Sequence, residues 1–280
     1  MRIKKLKDSG FNTDARTYVI AEIGINHGGD VALAERLIES AARTGVDAVK
    51  FQTYLTEKRA PKGNQAIFDI LKKCELPFAA FARLKDCASA HGVEFFSTPF
   101  DRESVECLNS IGVNIFKVAS FDVVNLEFLR ELTKTGKPVI MSVGMADLRE
   151  IDLAYKTLME GTQKIALLHC ISSYPLDEKD ANLAAIYELQ DSYDCVIGYS
   201  DHTPDIETAL MAVAAGAQII EKHFRIDGEM ECIDAPVSIT EVQARRLVEG
   251  IRRVETVFGD GGLRLSDAEK STVVFRRISK

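Results

Sequence analysis

Eight short, largely aliphatic runs recur along this chain at fairly even spacing, and a helical pattern follows each of them. Parallel strands buried on both faces are typically near-continuous hydrophobic runs, and the crossovers between them are usually helices. The predicted strands span residues 18–24, 46–51, 92–98, 114–119, 138–142, 164–170, 195–198 and 218–222. Eight such units within 280 residues match the strand count and approximate length of a closed parallel barrel. We therefore predict an α/β fold, the (β/α)8 TIM barrel.

A doubly wound open sheet accommodates the same alternation. Such sheets usually have fewer strands, and no G-x-G-x-x-G motif follows the first run here. The chain divides into an N-terminal extension (residues 1–16), a barrel catalytic domain (residues 17–260) and a linker-like tail (residues 261–280). We expect the basic extension to form an edge hairpin or a plug under the barrel floor. Residues 52–75 are a long insertion after the second strand.

Composition and charge exclude several classes of function. The formal net charge is −7, and no cluster of Lys and Arg overrides it except the short tail pair Arg276 and Arg277, so a nucleic-acid partner is not expected. The six cysteines form no C-x-x-C pair, which is typical of reduced thiols in the cytoplasm. No apolar run approaches the roughly 18 residues that a membrane helix needs, and no signal-peptide core is present. We predict a cytoplasmic enzyme that binds neither nucleic acid nor membrane.

Two histidines, His202 and His223, each follow the end of a predicted strand, and one amphipathic helix separates the two strands. This strand–helix–strand unit puts both imidazoles at the carboxyl ends of adjacent parallel strands. Neutral imidazole is the commonest metal ligand, so the pair predicts a divalent metal site with open coordination positions. The alternative is that Asp201, His202 and Thr203 only cap the helix that follows.

Polar side chains stand at the end of every predicted strand. They are Glu22, Lys50, Gln52, Ser97, Thr98, Lys117, Ser120, Ser142, His169, Ser172, Asp201, His202, Glu221 and His223. Any one of them is readily explained as a satisfied turn or cap. Their joint position on one rim favours an active site, because chemistry in this fold occurs where strands pass into their following loops.

The lysines Lys50 and Lys117 suit a small polyanion that carries phosphate and carboxylate groups. One alternative is that each lysine simply pairs with a neighbouring carboxylate of the barrel, such as Glu22. Another is a Schiff-base lysine, whose depressed pKa would let it attack a carbonyl. The two histidines argue against that second alternative, because a Schiff-base aldolase does not need them.

Eight motifs support a family resemblance. In chain order they are I-A-E-I-G-I-N-H-G-G, V-K-F-Q-T-Y, F-F-S-T-P-F, F-K-V-A-S-F, M-S-V-G-M, L-H-C-I-S-S-Y-P, G-Y-S-D-H-T and E-K-H-F. Over residues 19–259 the chain resembles the sialic acid synthase family. That family makes N-acetylneuraminic, legionaminic and pseudaminic acids and includes spore-coat polysaccharide relatives.

The resemblance implies condensation of phosphoenolpyruvate with an amino-sugar aldehyde, either N-acetylmannosamine-like or a 2,4-diacetamido-trideoxyhexose. The product would be a nine-carbon 2-keto-3-deoxy sugar acid. By the same resemblance Mn²⁺, or Mg²⁺ or Co²⁺ in its place, would bind His202 and His223, with Glu22 as a further catalytic residue. Phosphoenolpyruvate would contact Lys50, Thr98, Lys117, Ser120 and Ser142. The sugar would contact Gln52, Ser172, Tyr174 and Asp234.

The chain departs from the sialic acid branch in three places. Phe121 and Asp122 replace a Gly-Glu pair, which is closer to the legionaminic and pseudaminic branches, and Ser172 replaces an Asn. The tail resembles the entrance to an antifreeze-like domain that we expect to be absent. A homodimer is expected, with an antifreeze-like domain supplied by another protein as a possible partner. Two alternatives remain: a phosphoenolpyruvate-condensing synthase for another aldose, and a non-catalytic partner barrel.

Overall fold

A computed structural model describes residues 16–228 and 230–277, and it forms a closed barrel of eight parallel strands in chain order. The strands are β1 (Tyr18–Gly24), β2 (Ala48–Thr53), β3 (Glu94–Pro99), β4 (Phe116–Val118), β5 (Val139–Ser142), β6 (Ile165–Cys170), β7 (Val196–Asp201) and β8 (Ile219–His223). Strand β1 pairs with both β2 and β8, so that Glu22 lies opposite Lys50 on one side and His223 on the other. The predicted TIM barrel is confirmed, and the open-sheet alternative is wrong because the sheet has no edge.

Helices surround the barrel. They are α1 (Val31–Ala42), α2 (Thr56–Arg59), α3 (Gln65–Cys74), α4 (Phe78–Ala90), α5 (Arg102–Ser110), α6 (Leu126–Thr133), α7 (Leu148–Met159), α8 (Ala185–Ser192), α9 (Glu207–Ala214) and α10 (Glu241–Phe258). Helices α2 and α3 both lie in the insertion after β2. No helix formed by the described residues is both long enough and apolar enough to cross a membrane.

Side chains inside the barrel follow the two-residue period of a strand. A fully apolar layer fills the half nearer the strands' amino ends; its members are Tyr18, Ile20, Ala48, Phe96, Ile115, Ile140, Ala166, Leu168, Val196 and Ile219. The residues between them point outward and pack against the helices in a larger apolar cluster. The next inward position toward the carboxyl ends is polar on most strands, and this change creates the floor of a pocket.

The interpretation of His202 as a helix cap is wrong. Strand β7 continues to Asp201, three residues beyond the predicted end at Gly198, because Ser200 and Asp201 stay paired with β8. Helix α9 begins only at Glu207, and its N-cap residue Ile206 makes no side-chain cap bond. Asp201 instead accepts hydrogen bonds from Thr203, at 2.9 Å from both its backbone nitrogen and its hydroxyl.

Short described segments precede β1 and follow α10. The prediction of a hairpin or plug in the N-terminal extension falls on residues 1–15, outside the described residues, except for Arg16. Arg16 forms an exposed ion pair with Asp47 at 2.8 Å. At the other end, α10 ends at Phe258, and the following residues up to Arg277 are almost all exposed.

Candidate active site

The carboxyl ends of the strands enclose a cavity of about 210 Å³. All but one of the predicted site residues line it: Glu22, Lys50, Gln52, Thr98, Lys117, Ser120, Ser142, Tyr174, His202, His223 and Asp234. They come from strands β1 to β5 and β8 and from the loops after β4, β6, β7 and β8. Of the fourteen polar residues predicted from the strand ends, ten meet in this cavity, whereas Ser97, His169, Ser172 and Asp201 do not line it.

Of the residues with a predicted role, Ser172 is the exception, and its place among the sugar contacts is not supported by the geometry. It does not line the cavity. Its hydroxyl packs against Gly144, where an added Cβ would lie 2.7 Å from the Ser172 oxygen. The side chain therefore fills the space left by the missing side chain of Gly144 rather than facing the cavity.

A buried network of charges forms the cavity floor. Lys50 Nζ lies 3.1 Å from Glu22 Oε2 and 3.4 Å from Glu221 Oε1. Lys117 Nζ donates to Ser142 Oγ at 2.7 Å and lies 3.9 Å from Glu221 Oε1. The alternative in which the lysines pair with barrel carboxylates is thus observed, at close range for Lys50 and at longer range for Lys117. Lys117 Nζ also donates to the carbonyl oxygen of Val118 at 3.0 Å, which leaves one of its three hydrogens without a close acceptor and available to an incoming anion.

The network separates the protonation behaviour of the two carboxylates. Burial raises the pKa of Glu22, against the opposing charge of Lys50. Burial acts in the same direction on Glu221, but Lys117 and Lys50 outweigh it and hold the pKa of Glu221 well below its ordinary value. Two neighbouring carboxyls with pKa values moved apart are suited to different roles, so Glu22 is the candidate to take up a proton while Glu221 stays ionised.

The lysines differ in the same way. Burial lowers the pKa of Lys117 to about 8, although Glu221 opposes the shift. For Lys50, burial acts to lower the pKa, but Glu22 and Glu221 outweigh it and raise the pKa above its ordinary value. Lys50 is therefore a permanent cation, whereas the charge of Lys117 depends on pH near neutrality.

The two histidines face each other across the cavity, with ring centroids 5.5 Å apart. His202 Nδ1 lies 2.8 Å from the carbonyl oxygen of Ile171, and His223 Nδ1 lies 3.3 Å from Asp234 Oδ2. An oxygen beside one ring nitrogen fixes the orientation of the ring and leaves Nε2 as the ligand atom, as is usual for histidines that bind metals. The ring of Tyr174 packs on His202 at 4.0 Å between centroids.

This arrangement fits a divalent ion. Burial, together with neighbouring His223, lowers the pKa of His202 to about 3, so its imidazole is neutral, as a ligand must be. Burial acts against the charged form of His223, but Asp234 outweighs it and raises the pKa of His223, so a metal would compete with a proton there. Within residues 16–228 and 230–277, no group of three or more His, Cys, Asp or Glu side chains could hold an ion. The two histidines are therefore candidate ligands of an ion, and they do not belong to a larger cluster of such groups in the described residues.

The predicted sugar contacts gather beside Glu22. Gln52 Nε2 donates to Glu22 Oε1 at 3.0 Å, and its own carbonyl oxygen is buried with no hydrogen-bond partner in the described part of the chain. The close approach of Glu22, Gln52 and Asp234 depends on Gly24, which has a φ of +57°. A Cβ there would lie 3.1 Å from Glu22 and 3.4 Å from Asp234, so only glycine suits both the backbone and the space.

The predicted roles omitted two charged residues of the cavity, Glu221 and Arg59. A sequence signal existed for Glu221, which stands two positions before His223 on the same strand and therefore faces the same side. No such signal existed for Arg59, because the insertion after β2 has no counterpart in the strand–helix alternation. Asn26 was also missed: its Oδ1 accepts from the backbone nitrogen of Asp234 at 3.0 Å and holds that loop over the site.

Comparison with known proteins identifies the family. The model of the NeuB family matches residues 37–262. The chain belongs to the NeuB family. It is 40% identical over 276 residues to an uncharacterized protein of Methanocaldococcus jannaschii, covering 98% of this chain and 82% of that protein. It is 38% identical to an N,N'-diacetyllegionaminic acid synthase of Campylobacter jejuni, covering 94% of this chain and 84% of that protein.

A solved structure of a sialic acid synthetase has the same fold as this chain. The N-acetylneuraminic acid synthetase of Leptospira borgpetersenii superposes with a TM-score of 0.90 at 39% identity, covering 93% of this chain and 91% of the other. The resemblance to sialic acid synthases is confirmed. The expectation that the chain is an enzyme, a C–C bond-forming transferase of the sialic acid synthase type, is confirmed with it.

Proposed function

We propose that this NeuB-family chain condenses phosphoenolpyruvate with the open-chain aldehyde of an acylamino sugar. The product is a nine-carbon 2-keto-3-deoxy sugar acid, and inorganic phosphate is released. The single observation that carries the proposal is the composition of the cavity. Two buried lysines, three hydroxyl groups, a pair of histidines and a protonatable carboxyl all line the same small space.

Phosphoenolpyruvate suits the side of the cavity that holds Lys50 and Lys117. Hydroxyl groups on this side are oriented to donate. Ser120 Oγ accepts from the backbone nitrogen of Gly144 at 3.0 Å, and Ser142 Oγ accepts from Lys117 at 2.7 Å, so the hydrogen of each hydroxyl is free for an anion. Charge-assisted bonds of this kind would hold the phosphate and carboxylate and present one face of the enol to the aldehyde.

His202 and His223 would hold the divalent ion, which we propose to be Mn²⁺, with Mg²⁺ or Co²⁺ as the alternatives. A bound ion of this kind supplies Lewis-acid polarisation of a carbonyl oxygen. Tyr174, packed on His202, and Asp234, beside His223, fix the orientation of the two rings in advance. This prior orientation reduces the cost of reorganisation when the aldehyde binds.

Glu22 is proposed as the residue that handles the proton. In the condensation, C3 of phosphoenolpyruvate forms a bond to the aldehyde carbon, the aldehyde oxygen takes the proton of the protonated Glu22 carboxyl, and the cationic C2 is trapped by water. The C–O bond to phosphate then breaks, the C2 hydroxyl gives its proton to the leaving phosphate, and the carbonyl of the keto acid forms. Water must lose a proton as it adds, and Glu22 is a buried carboxyl with a raised pKa that lies beside Lys50 and is hydrogen-bonded by Gln52. These properties are those of a general base whose pKa has moved toward the working pH.

A sugar of the legionaminic type is the preferred acceptor, because Phe121 and Asp122 line or adjoin the cavity in place of the Gly-Glu pair of the sialic acid branch. Both acceptor classes should be compared. Purified chain is mixed with phosphoenolpyruvate, Mn²⁺ and either N-acetylmannosamine or a 2,4-diacetamido-trideoxyhexose, and phosphate release is followed. Release with at least one acylamino sugar is the expected result, and its absence with every acylamino sugar contradicts the proposal.

Two variants test whether turnover depends on a metal held by His202. His202→Ala should abolish turnover and leave the thermal midpoint of the metal-free protein nearly unchanged. His91→Ala, which alters an exposed histidine at the end of α4, is the matched control and should behave as the wild type. Full turnover after chelation would argue against the metal.

Borohydride trapping with both substrates should give no adduct, and an adduct at Lys50 or Lys117 would favour the Schiff-base alternative.

A further inference from the structure

The insertion between β2 and α4 is held in place by its own small core. Ile25, Tyr54, Leu71 and Cys74 are buried together, and Phe100 packs against them. Hydrogen bonds fix the two ends of the segment. Tyr54 OH donates to the carbonyl oxygen of Leu71 at 2.9 Å. The backbone nitrogen of Leu55 donates to Asp101 Oδ2 at 2.7 Å. The short helix α2 therefore has a defined position at the cavity mouth.

Arg59, the last residue of α2, reaches the cavity from this insertion. Its guanidinium carbon lies 4.4 Å from the ring centroid of Tyr54 and 3.9 Å from that of Phe100. The two rings are nearly perpendicular to each other, at 82°, and their contacts hold the guanidinium at the cavity mouth by cation–π attraction. One edge nitrogen, Nη1, is buried and has no hydrogen-bond partner in the described part of the chain. A buried donor without a partner calls for an explanation, and in a binding cavity the simplest one is a missing acceptor.

The charges around Arg59 restrict what that acceptor can be. Asp234, Glu22 and Asp122 all act electrostatically on the guanidinium. No carboxylate among the described residues lies within 4.0 Å of it, and Asp122 is hydrogen-bonded to Asn125 at 3.1 Å. Glu22 and Asp234 already pair with Lys50 and His223, and Asp122 acts on Arg59, so the guanidinium does not need an anionic ligand to balance its charge. A neutral acceptor is favoured instead.

Apolar surface lies at the same mouth. Phe121 is 63% exposed, Tyr174 is 48% exposed, and both line the cavity. A donor beside exposed aromatic surface is complementary to an acylamido group, which presents a strong carbonyl acceptor together with a methyl group. A hydroxyl group lacks the methyl, and a phosphate lacks both the methyl and the neutral charge.

We propose that Arg59 is a specificity-determining residue that donates a hydrogen bond through Nη1 to the amide carbonyl oxygen of an acylamino group on the acceptor sugar. The inference rests on the proposed function and deepens it, because it assigns the recognition of the amide to a residue of the insertion after β2. Phosphoenolpyruvate, held by the lysines of the floor, should be bound independently of Arg59.

The test compares sugars with and without the amide in wild type and Arg59→Met, which keeps an apolar stem and removes the guanidinium. The probes are N-acetylmannosaminitol and mannitol, open-chain alcohols that cannot react, each measured as a competitive inhibitor against the acylamino sugar. Loss of one hydrogen bond to a charged donor should weaken N-acetylmannosaminitol roughly ten- to hundredfold. The inhibition constant of mannitol and the KM of phosphoenolpyruvate should change less than about twofold, well below that effect.

Lys58→Met is the matched control, since Lys58 precedes Arg59 and forms its ion pair with Glu103 on the surface. It should leave every constant at the wild-type value. Arg59→Gln covers the case in which Arg59→Met fails to fold, and it should show the same selective loss to a smaller degree. Equal weakening of both alcohols, or a rise in the KM of phosphoenolpyruvate alone, would overturn the assignment. Wild-type protein that releases no phosphate with any acylamino sugar would instead refute the proposed function.

Discussion

Inside the barrel, residues near the amino ends of the strands are apolar, whereas those two positions further along the same strands are polar or charged. The pairs are Ile20 and Glu22, Ala48 and Lys50, Phe96 and Thr98, Ile115 and Lys117, Ile140 and Ser142, and Ile219 and Glu221. Both layers are equally inaccessible to water: Ile20 is 0% exposed and Glu22 is 1% exposed. Burial stabilises the first layer through apolar transfer, while it destabilises the second unless every charge finds a partner.

The apolar layer of the interior therefore stabilises the fold, whereas the polar layer supplies the groups that can bind ligands. Three of the buried side-chain atoms that lack both a hydrogen bond and an ion pair among the described residues belong to cavity residues: Gln52, Arg59 and Glu221. Protein interiors seldom tolerate such atoms without a function. Three predictions test this division.

The largest effect is expected for Lys50→Met in the polar layer. It leaves Glu22 and Glu221 without their nearest cation, and removing one partner of a buried ion pair typically costs about 3–5 kcal/mol. Denaturant titration should show this loss in the free energy of unfolding, together with a large rise in the KM of phosphoenolpyruvate. The double variant Lys50→Met, Glu22→Gln should recover part of the stability and none of the activity. An unfolding free energy close to that of the wild type would contradict the division of the interior.

A smaller effect is expected from the titration of Lys117, whose pKa burial lowers to about 8. The ammonium is charged below that pH and loses its charge as the pH rises through it, so the KM of phosphoenolpyruvate should rise above about pH 8, by at most about tenfold per unit. Lys117→Arg should flatten the profile, because a guanidinium stays charged throughout this range. An identical pH profile for Lys117→Arg and wild type would show that another group is responsible.

The smallest effect is expected for Ile140→Val in the apolar layer, two positions before Ser142. Deleting one buried methylene typically costs about 0.5–1.5 kcal/mol. The free energy of unfolding should fall by this amount, while kcat and the KM of both substrates stay unchanged at temperatures where the protein is folded. A change in the KM of phosphoenolpyruvate from this variant would show that the two layers are not separable.

Local patterns predicted most of the fold and of the cavity floor. The positions of Lys50, Lys117, Glu22 and the two histidines follow from strand ends and from the two-residue period, both of which can be seen within a few residues of sequence. Errors arose where a strand continued past its aliphatic run. Strand β7 extends through Ser200 and Asp201, whose partners Glu221 and Lys222 lie on another strand. The buried ion pair between Lys222 and Asp201, at 2.8 Å, helps to stabilise the extended end of β7.

The rim of the cavity could not be predicted in this way. Asp234 reaches the site because its backbone nitrogen bonds Asn26, 208 positions earlier in the chain. Arg59 reaches it because the insertion folds on its own core and places the guanidinium over the rings of Tyr54 and Phe100. Ser172 turns against Gly144 and leaves the cavity, although it stands close to a strand end.

The sequence by itself therefore determined the barrel, the end at which the site lies and the chemistry of its floor, because parallel strands align their carboxyl ends whatever the loops do. Only the tertiary structure decided which loop residues complete the site. The position of a loop depends on contacts between segments that are distant in sequence, and no local periodicity records those contacts. The floor of the site is thus a property of the strands, and the selectivity proposed for Arg59 is a property of how one insertion packs.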